Sequence, residues 1–180
     1  MNLANKLTLS RIFMIPLFVF FLLSGSDVTT LIAGGIFILA SITDFFDGYI
    51  ARSRNLVTKF GKFMDPLADK LLVLSAFICL VELQIIPGWA VIIIISRELI
   101  VSIFRAIAAS DGIVIAAGSL GKYKTATQMV AVIIFCFNPL ITRVTSFPIA
   151  MILFYICTIL TLLSGFDYIY RNRAVLSEPK

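Results

Sequence analysis

The sequence predicts an all-α membrane protein with six transmembrane helices and a short interfacial segment at its N-terminus. Hydrophobic residues make up 60% of the 180 residues, charged residues make up 14%, and the mean hydropathy is +1.04. A soluble domain needs more polar residues than this to cover its core. Six apolar stretches approach the roughly 20 residues that cross a bilayer. Because they fill nearly the whole chain, residues 1–180 are predicted to form one transmembrane domain.

Charged, glycine and proline residues mark the ends of the six predicted spans. After a polar start that includes Lys6 and Arg11, the spans are expected at 12–23, 31–51, 62–83, 87–109, 122–137 and 148–170. The first span is short and follows basic residues, so a signal peptide is its alternative interpretation. Five later spans would hold the chain in the membrane in either case, which favours an uncleaved first span.

The distribution of basic residues predicts the orientation of the chain. Loops 24–30, 82–88 and 138–147 should share one face, and of the 15 lysines and arginines they contain only Arg143. The positive-inside bias therefore places the N-terminus, loops 52–62 and 110–122 and the C-terminal tail in the cytoplasm. The net charge of +5 would then face the anionic headgroups of membrane lipids, and no nucleic acid partner is expected.

Composition limits the chemistry that the chain can perform. The sequence has no histidine, which removes the commonest general base and transition-metal ligand. The three cysteines all lie in apolar stretches, and their odd number argues against a disulfide framework. Catalysis or metal binding would therefore depend on carboxylates, lysines, tyrosines and hydroxyl groups.

Four aspartates near the cytoplasmic ends of two consecutive spans are the most unusual feature of the sequence. Asp44 and Asp47 lie near the end of the second span, and Asp65 and Asp69 open the third. Charge at that depth is costly and is typically functional. Helical spacing places Asp44 and Asp47 on one face of their span, and Asp65 and Asp69 on one face of theirs. Four carboxylates brought together require cations, and all-oxygen ligands suit two Mg²⁺ or Mn²⁺ ions.

The residues around these aspartates are suited to a phosphate-bearing substrate. Small residues share the acidic faces and leave room for a ligand to approach the backbone; they are Gly48, Ala51, Gly61 and Ala68. Arg52 and Lys59 stand at the rim of the same region. Two metal ions about 3.5–4 Å apart can clamp a diphosphate and support an in-line displacement. The pattern therefore predicts phosphoryl-transfer chemistry.

Residues 44–69 match a signature with eight positions of fixed identity: Asp44, Asp47, Gly48, Ala51, Arg52, Gly61, Asp65 and Asp69. This arrangement resembles the CDP-alcohol phosphotransferase family. The resemblance implies that Asp44, Asp47 and Asp65 bind metal, with Asp69 both near the metals and the general base. It also implies that the CDP site is lined by Asp47, Gly48, Ala51, Arg52 and Gly61. An alcohol would attack the lipid-bearing phosphorus, CMP would leave, and the protein would be a homodimer.

Three further segments, at 5–16, 95–98 and 121–128, resemble family members that use CDP-diacylglycerol as donor and glycerol 3-phosphate as acceptor. Cations that could bind a phosphorylated acceptor are Lys59, Arg97, Arg105, Lys122 and Lys124. These charges would suit inositol phosphate equally well as the acceptor, and phosphatidylglycerol and serine are further alternative acceptors. Arg97 and Glu98 could instead pair with other spans, and the two lysines near 122–124 could be membrane anchors.

Two other classes of protein compete with the enzyme. A cation-coupled transporter also carries intramembrane acids, but its acids are expected near the midplane of the bilayer and within repeated halves. Here the acids cluster near one membrane face, and the sequence shows no inverted repeat. A non-catalytic scaffold would leave the four aspartates and their small neighbours unexplained. The sequence therefore favours an enzyme of the cytoplasmic membrane whose active site faces the cytoplasm.

Overall fold

The computed structural model describes residues 3–53, 59–110, 115 and 118–173, with side chains described in these ranges except at 3–8, 44–53, 59–66, 69 and 110. The described part of the chain is all helical. Its helices are α1 (Leu3–Leu23), α2 (Asp27–Ser53), α3 (Lys59–Glu82), α4 (Gly88–Ser110), α5 (Ser119–Cys136), α6 (Asn138–Ile141) and α7 (Ile149–Arg171). The predicted all-α class is confirmed over these residues.

Two differences from the predicted elements concern short segments. Helix α1 begins at Leu3, so the N-terminal segment that the sequence predicts as separate from the first span is continuous with it. The polar residues at this end of the chain include no glycine or proline, either of which could end a helix. A hydropathy profile does not show whether the backbone of a polar segment is helical. The four-residue helix α6 was not predicted from sequence. It carries proline in its first turn, where a missing N–H is tolerated.

Helix α7 is the one helix of the described residues that is long and apolar enough to cross a membrane by itself. Shorter apolar stretches occupy Leu9–Leu23 and Asp27–Thr43. The other predicted spans coincide with α1 to α5 in position, but their passage through a membrane remains a prediction.

The first of two compact units comprises Met1–Ile86 and Val132–Phe147. Helix α1 packs against α2 and α3. Aromatic side chains fill the core of this unit: Phe18, Phe37 and Phe77 are fully buried. The ring centroids of Phe18 and Phe37 lie 5.7 Å apart. This packing holds α2 and α3, the two acidic helices, against one common partner.

In the same unit, the N-terminal half of α2 is in close contact with the segment that precedes α6. A Cβ atom on Gly34 would lie 2.8 Å from the ring of Phe137 and 2.9 Å from the Cβ of Cys136, so only glycine fits. Nearby, the exposed side chains of Arg143 and Asp27 form an ion pair at 3.7 Å. These contacts bring together loops 24–30 and 138–147, which the sequence predicts on one membrane face.

The second compact unit comprises Pro87–Ala131 and Pro148–Lys180. Within it α4 packs against α7. The rings of Phe104 and Tyr168 meet edge to face with centroids 5.8 Å apart. Large apolar side chains also face outward, including Ile92 and Phe166 at 65% and 72% exposure. An outward apolar surface of this kind is typical of contact with lipid.

Candidate active site

The four aspartates lie where two consecutive helices approach the loop that joins them. Helix α2 ends at Ser53 and α3 begins at Lys59, so Asp44 and Asp47 occupy the last three turns of α2. Asp65 and Asp69 fall in the first turns of α3. The side chains of these four residues lie outside the described part of the structure. The same holds for the other predicted residues of this region: Gly48, Ala51, Arg52, Lys59 and Gly61.

A buried stripe along α2 leads to the first acidic pair. Ala33, Phe37 and Ala40 are each 0% exposed and follow one another by four and three residues. The same helical steps continue to positions 44, 47 and 51, since α2 remains helical to Ser53. The positions of Asp44 and Asp47 therefore continue the helical register of this stripe.

A matching stripe along α3 leads to the second acidic pair. Ala68, Leu72 and Ala76 are at most 3% exposed and are spaced by four residues. Asp65 precedes Ala68 by three positions, and Asp69 lies one helical turn beyond Asp65. The backbone of the first unit thus brings both acidic pairs onto helix faces whose described members are buried.

A buried arginine on α1 belongs to the same unit. Arg11 is 0% exposed, and on its helix the fully buried Phe18 and the 1% exposed Leu22 follow toward the C-terminal end. A buried guanidinium is stable only where negative groups compensate its charge. Helix α1 packs against both helices that carry the aspartates. The sequence placed Arg11 in the polar start of the chain and in the family-like segment 5–16, but it did not indicate that Arg11 is buried.

In the second unit, Glu98 links two of the cations predicted for acceptor binding. Its Oε1 accepts a hydrogen bond from Arg97 Nη1 at 3.2 Å and a second one from Lys124 Nζ. The side chains of Arg97, Glu98 and Lys124 are only 13%, 9% and 4% exposed, respectively. The structure therefore places a buried cluster with two positive charges and one negative charge between α4 and α5.

Arg105 is held by a residue of α7. Its Nε donates a hydrogen bond to Tyr168 Oη at 3.2 Å, and its guanidinium carbon lies 5.2 Å from the centroid of the tyrosine ring. Tyr168 is itself only 6% exposed. The sequence assigned no role to Tyr168, because 63 residues separate it from Arg105 and no local pattern marks the pair.

The two lysines at the start of α5 differ in their surroundings. Lys124 is 3% exposed and pairs with Glu98, whereas Lys122 is exposed. Because the two lysines are two residues apart on a helix, about 200° of rotation around the helix axis separates their side chains. One turn beyond Lys124, the amide of Gln128 donates a hydrogen bond to Thr161 Oγ1 of α7 at 3.3 Å. Of the predicted acceptor residues, the structure therefore joins Arg97 and Lys124 in one cluster.

A comparison with protein-family models gives the class of this protein. Residues 1–163 match the model described as CDP-alcohol phosphatidyltransferase. The match covers most of the chain, including α1 to α6 and the acidic signature. The chain belongs to the CDP-alcohol phosphatidyltransferase family, as the resemblance of its signature predicted, and it is a transferase.

Three similar curated proteins carry the name CDP-diacylglycerol–glycerol-3-phosphate 3-phosphatidyltransferase. The protein of Bacillus subtilis (strain 168) is 45% identical, over 95% of each chain. The protein of Rickettsia bellii (strain RML369-C) is 38% identical, over 93% of each chain. The protein of Sodalis glossinidius (strain morsitans) is 36% identical, over 99% of this chain and 98% of its own. The similarity thus extends over nearly the full length of the chain.

Proposed function

We propose that this chain transfers the phosphatidyl group of CDP-diacylglycerol to glycerol 3-phosphate, with release of CMP and formation of phosphatidylglycerophosphate. The observation that carries the proposal is 45% identity, over 95% of both chains, to a relative whose name states this reaction. Membership of a transferase family decides against the two competing classes, the cation-coupled transporter and the scaffold.

The protein is proposed to lie in the cytoplasmic membrane, crossing it with α1 to α5 and α7. The apolar character of α7 and the outward apolar side chains of the second unit support this placement. The contacts between loops 24–30 and 138–147 agree with their predicted common side. The active site would then face the cytoplasm, and a homodimer is expected from the resemblance to the family.

The aspartates would hold two divalent cations, Mg²⁺ or Mn²⁺. Their donor set fits these metals, because it offers carboxylate oxygens and no nitrogen or sulfur ligand. The buried stripes of α2 and α3 support the fit, since an inward face would exclude water from a charged ligand. Bound there, the cations would neutralise the diphosphate of CDP-diacylglycerol and polarise its phosphorus. Asp44, Asp47 and Asp65 would be ligands, together with Asp69.

The residues of the chain then bind the donor and move one proton. Asp47, Gly48, Ala51, Arg52 and Gly61 would line the CDP site. Asp69 would take the proton of the acceptor hydroxyl as that oxygen forms a bond to the lipid-bearing phosphorus. The bond between this phosphorus and the CMP oxygen breaks in the same displacement. The reaction requires no covalent bond between the lipid and the enzyme.

Cations of the second unit would bind the phosphate of glycerol 3-phosphate, with Lys59 and Lys122 as further predicted contacts. The cluster of Arg97, Glu98 and Lys124 brings two cationic side chains together where they are little exposed, and low exposure strengthens the attraction of a cation for an anion. Arg105 is already oriented by Tyr168, which lowers the entropic cost of ordering its guanidinium around a phosphate. A neutral acceptor such as serine would gain little from these charges.

A single assay tests the reaction, the acceptor and the metal. Purified protein in detergent micelles is given CDP-diacylglycerol and, separately, glycerol 3-phosphate, inositol phosphate, serine or phosphatidylglycerol, with CMP release as the readout. We expect rapid release with glycerol 3-phosphate in the presence of Mg²⁺ or Mn²⁺. Chelation by EDTA should abolish release, and added metal should restore it. Faster release with another acceptor would refute the assigned substrate, and full activity in EDTA would refute the metal site.

Replacing Arg105 tests the acceptor site. Arg105→Gln should raise KM for glycerol 3-phosphate by roughly tenfold or more, since hydrogen bonds to charged groups contribute about 1.5–3 kcal/mol. KM for CDP-diacylglycerol should not change. Arg171→Gln is the matched control, because Arg171 is 73% exposed and pairs with Asp167 on its own helix. Equal effects of the two substitutions on the acceptor KM would contradict the assignment of Arg105.

A further inference from the structure

A glycine of α7 is in contact with a charged side chain of α4. Gly165 is buried, and a Cβ atom built on it would lie 2.9 Å from Cγ of Arg97, 3.6 Å from Nε and 3.9 Å from Cδ. Real Cβ atoms essentially never approach another heavy atom as closely as 2.9 Å. The stem of Arg97 therefore occupies the space that any side chain at position 165 would need.

Gly165 differs in this respect from three other helical glycines, Gly34, Gly35 and Gly121. Gly34 faces the apolar ring of Phe137, whereas Gly35 and Gly121 have no atom within 4 Å of a built Cβ. Glycine inside a helix costs about 1 kcal/mol relative to alanine. In the second unit, the glycine that carries this cost is the one that lies against Arg97, a cation assigned to acceptor binding.

The clash at position 165 could not be relieved at the flexible end of the arginine. The position of Cγ depends on χ1 alone, so rotation about the later bonds leaves the contact unchanged. In a helix χ1 has two well-populated states, and the third clashes with the preceding turn. A side chain at 165 would thus force Arg97 into another rotamer and swing its guanidinium away from Glu98.

The guanidinium of Arg97 has a defined place because of this arrangement. Nη1 donates to Glu98, while the buried Nε has no hydrogen-bond partner among the described residues. Arg97 and Gly165 also line a cavity of about 290 Å³ between α4 and α7, whose other walls are mostly apolar. Packing on α7 and one ion pair, rather than a network of polar partners, therefore determine where this cation lies.

We propose that Gly165 is a positioning residue for acceptor binding, acting through Arg97. The absence of a side chain at 165 lets Arg97 lie across α7 and present its charge beside the Glu98–Lys124 pair. The inference rests on the proposed function, because it assumes that Arg97 helps to bind a phosphorylated acceptor. It adds a residue of α7 that makes no contact with the substrate and yet determines the affinity for it.

The test compares Gly165→Ala with Gly35→Ala and measures KM for both substrates, kcat and thermal stability. Gly165→Ala should raise KM for glycerol 3-phosphate by roughly tenfold, as expected when one charged hydrogen-bonding group is misplaced. KM for CDP-diacylglycerol should stay at the wild-type value. Gly35→Ala fills open space, so it should leave both KM values and kcat unchanged and should not lower thermal stability, since alanine is the better helix former. An acceptor KM unchanged by Gly165→Ala, with that of Arg97→Ala raised, would overturn the positioning role and leave the proposed function intact.

A double variant shows whether the effect passes through Arg97. Arg97→Ala removes Cγ, so adding Gly165→Ala in that background should cause no further rise in the acceptor KM. If Gly165→Ala alone fails to fold, the double variant should fold as well as Arg97→Ala, because the clash is gone. A further loss in the double variant would overturn the inference. An acceptor KM unaffected by Arg97→Ala would overturn both the inference and the acceptor role of Arg97.

Discussion

Asp69→Asn is expected to reduce the rate of CMP release by roughly 10²–10⁴-fold, the usual contribution of a general base. Asparagine has nearly the same shape as aspartate but cannot accept the proton of the attacking hydroxyl. Binding of CDP-diacylglycerol should be largely retained, because Asp44, Asp47 and Asp65 remain as metal ligands. Rates of CMP release and equilibrium binding of the donor lipid measure the two effects separately.

Two further substitutions make the Asp69 result interpretable. Asp47→Asn should impair donor binding as well as turnover, since Asp47 is assigned to both the metal and the CDP site. Asp167→Asn is the matched control, because that carboxylate pairs with an exposed arginine on the surface of α7. Equal losses of binding and turnover in Asp69→Asn would disprove its assignment as a base.

Glu98→Gln is expected to destabilise the folded protein by about 3–5 kcal/mol, the usual cost of removing one member of a buried ion pair. The substitution removes the negative charge that Arg97 and Lys124 share, and both cations stay in a region with little water. The free energy of unfolding in detergent micelles, measured by thermal or denaturant titration, gives the size of the effect.

The partner substitution and an exposed pair provide the controls. Lys124→Met should also destabilise the protein. The double variant with Glu98→Gln and Lys124→Met should lose less stability than the sum of the two single variants, because both substitutions remove the same ion pair. Asp27→Asn breaks the exposed pair with Arg143 and should cost less than about 1 kcal/mol. Additive effects of the Glu98 and Lys124 substitutions would contradict a shared buried ion pair.

Hydropathy predicted the main helices because burial in lipid or core requires long apolar segments. The predicted span at 87–109 and the observed α4 at Gly88–Ser110 differ by one residue at each end. The start of α1 was missed by nine residues, since polar groups at a membrane surface are compatible with a helix and leave no hydropathy signal. Helix α6 is too short to produce any periodic pattern.

The candidate site was predictable where it depends on local spacing. Asp44 and Asp47 belong to one turn of one helix, so their common face follows from the sequence alone. The partners of the cations depend on tertiary packing instead. Nothing in the sequence near Arg105 indicates Tyr168, and nothing near Arg97 indicates Gly165, because each pair is brought together by the packing of α4 on α7.

The tight packing at Gly34 has a consequence for how α2 moves. This end of the helix is held against Phe137 and Cys136, so a tilt of α2 would turn about this point. Asp44 and Asp47 lie 10 and 13 residues further along, about 15 and 20 Å away at 1.5 Å per residue. A rotation of about 5° would move the backbone at Asp47 by about 1.7 Å, which is most of a Mg²⁺–oxygen distance of about 2.1 Å. Loosening the helix at its remote end should therefore change the gap that the proposed metal ligands must span, without altering any of them.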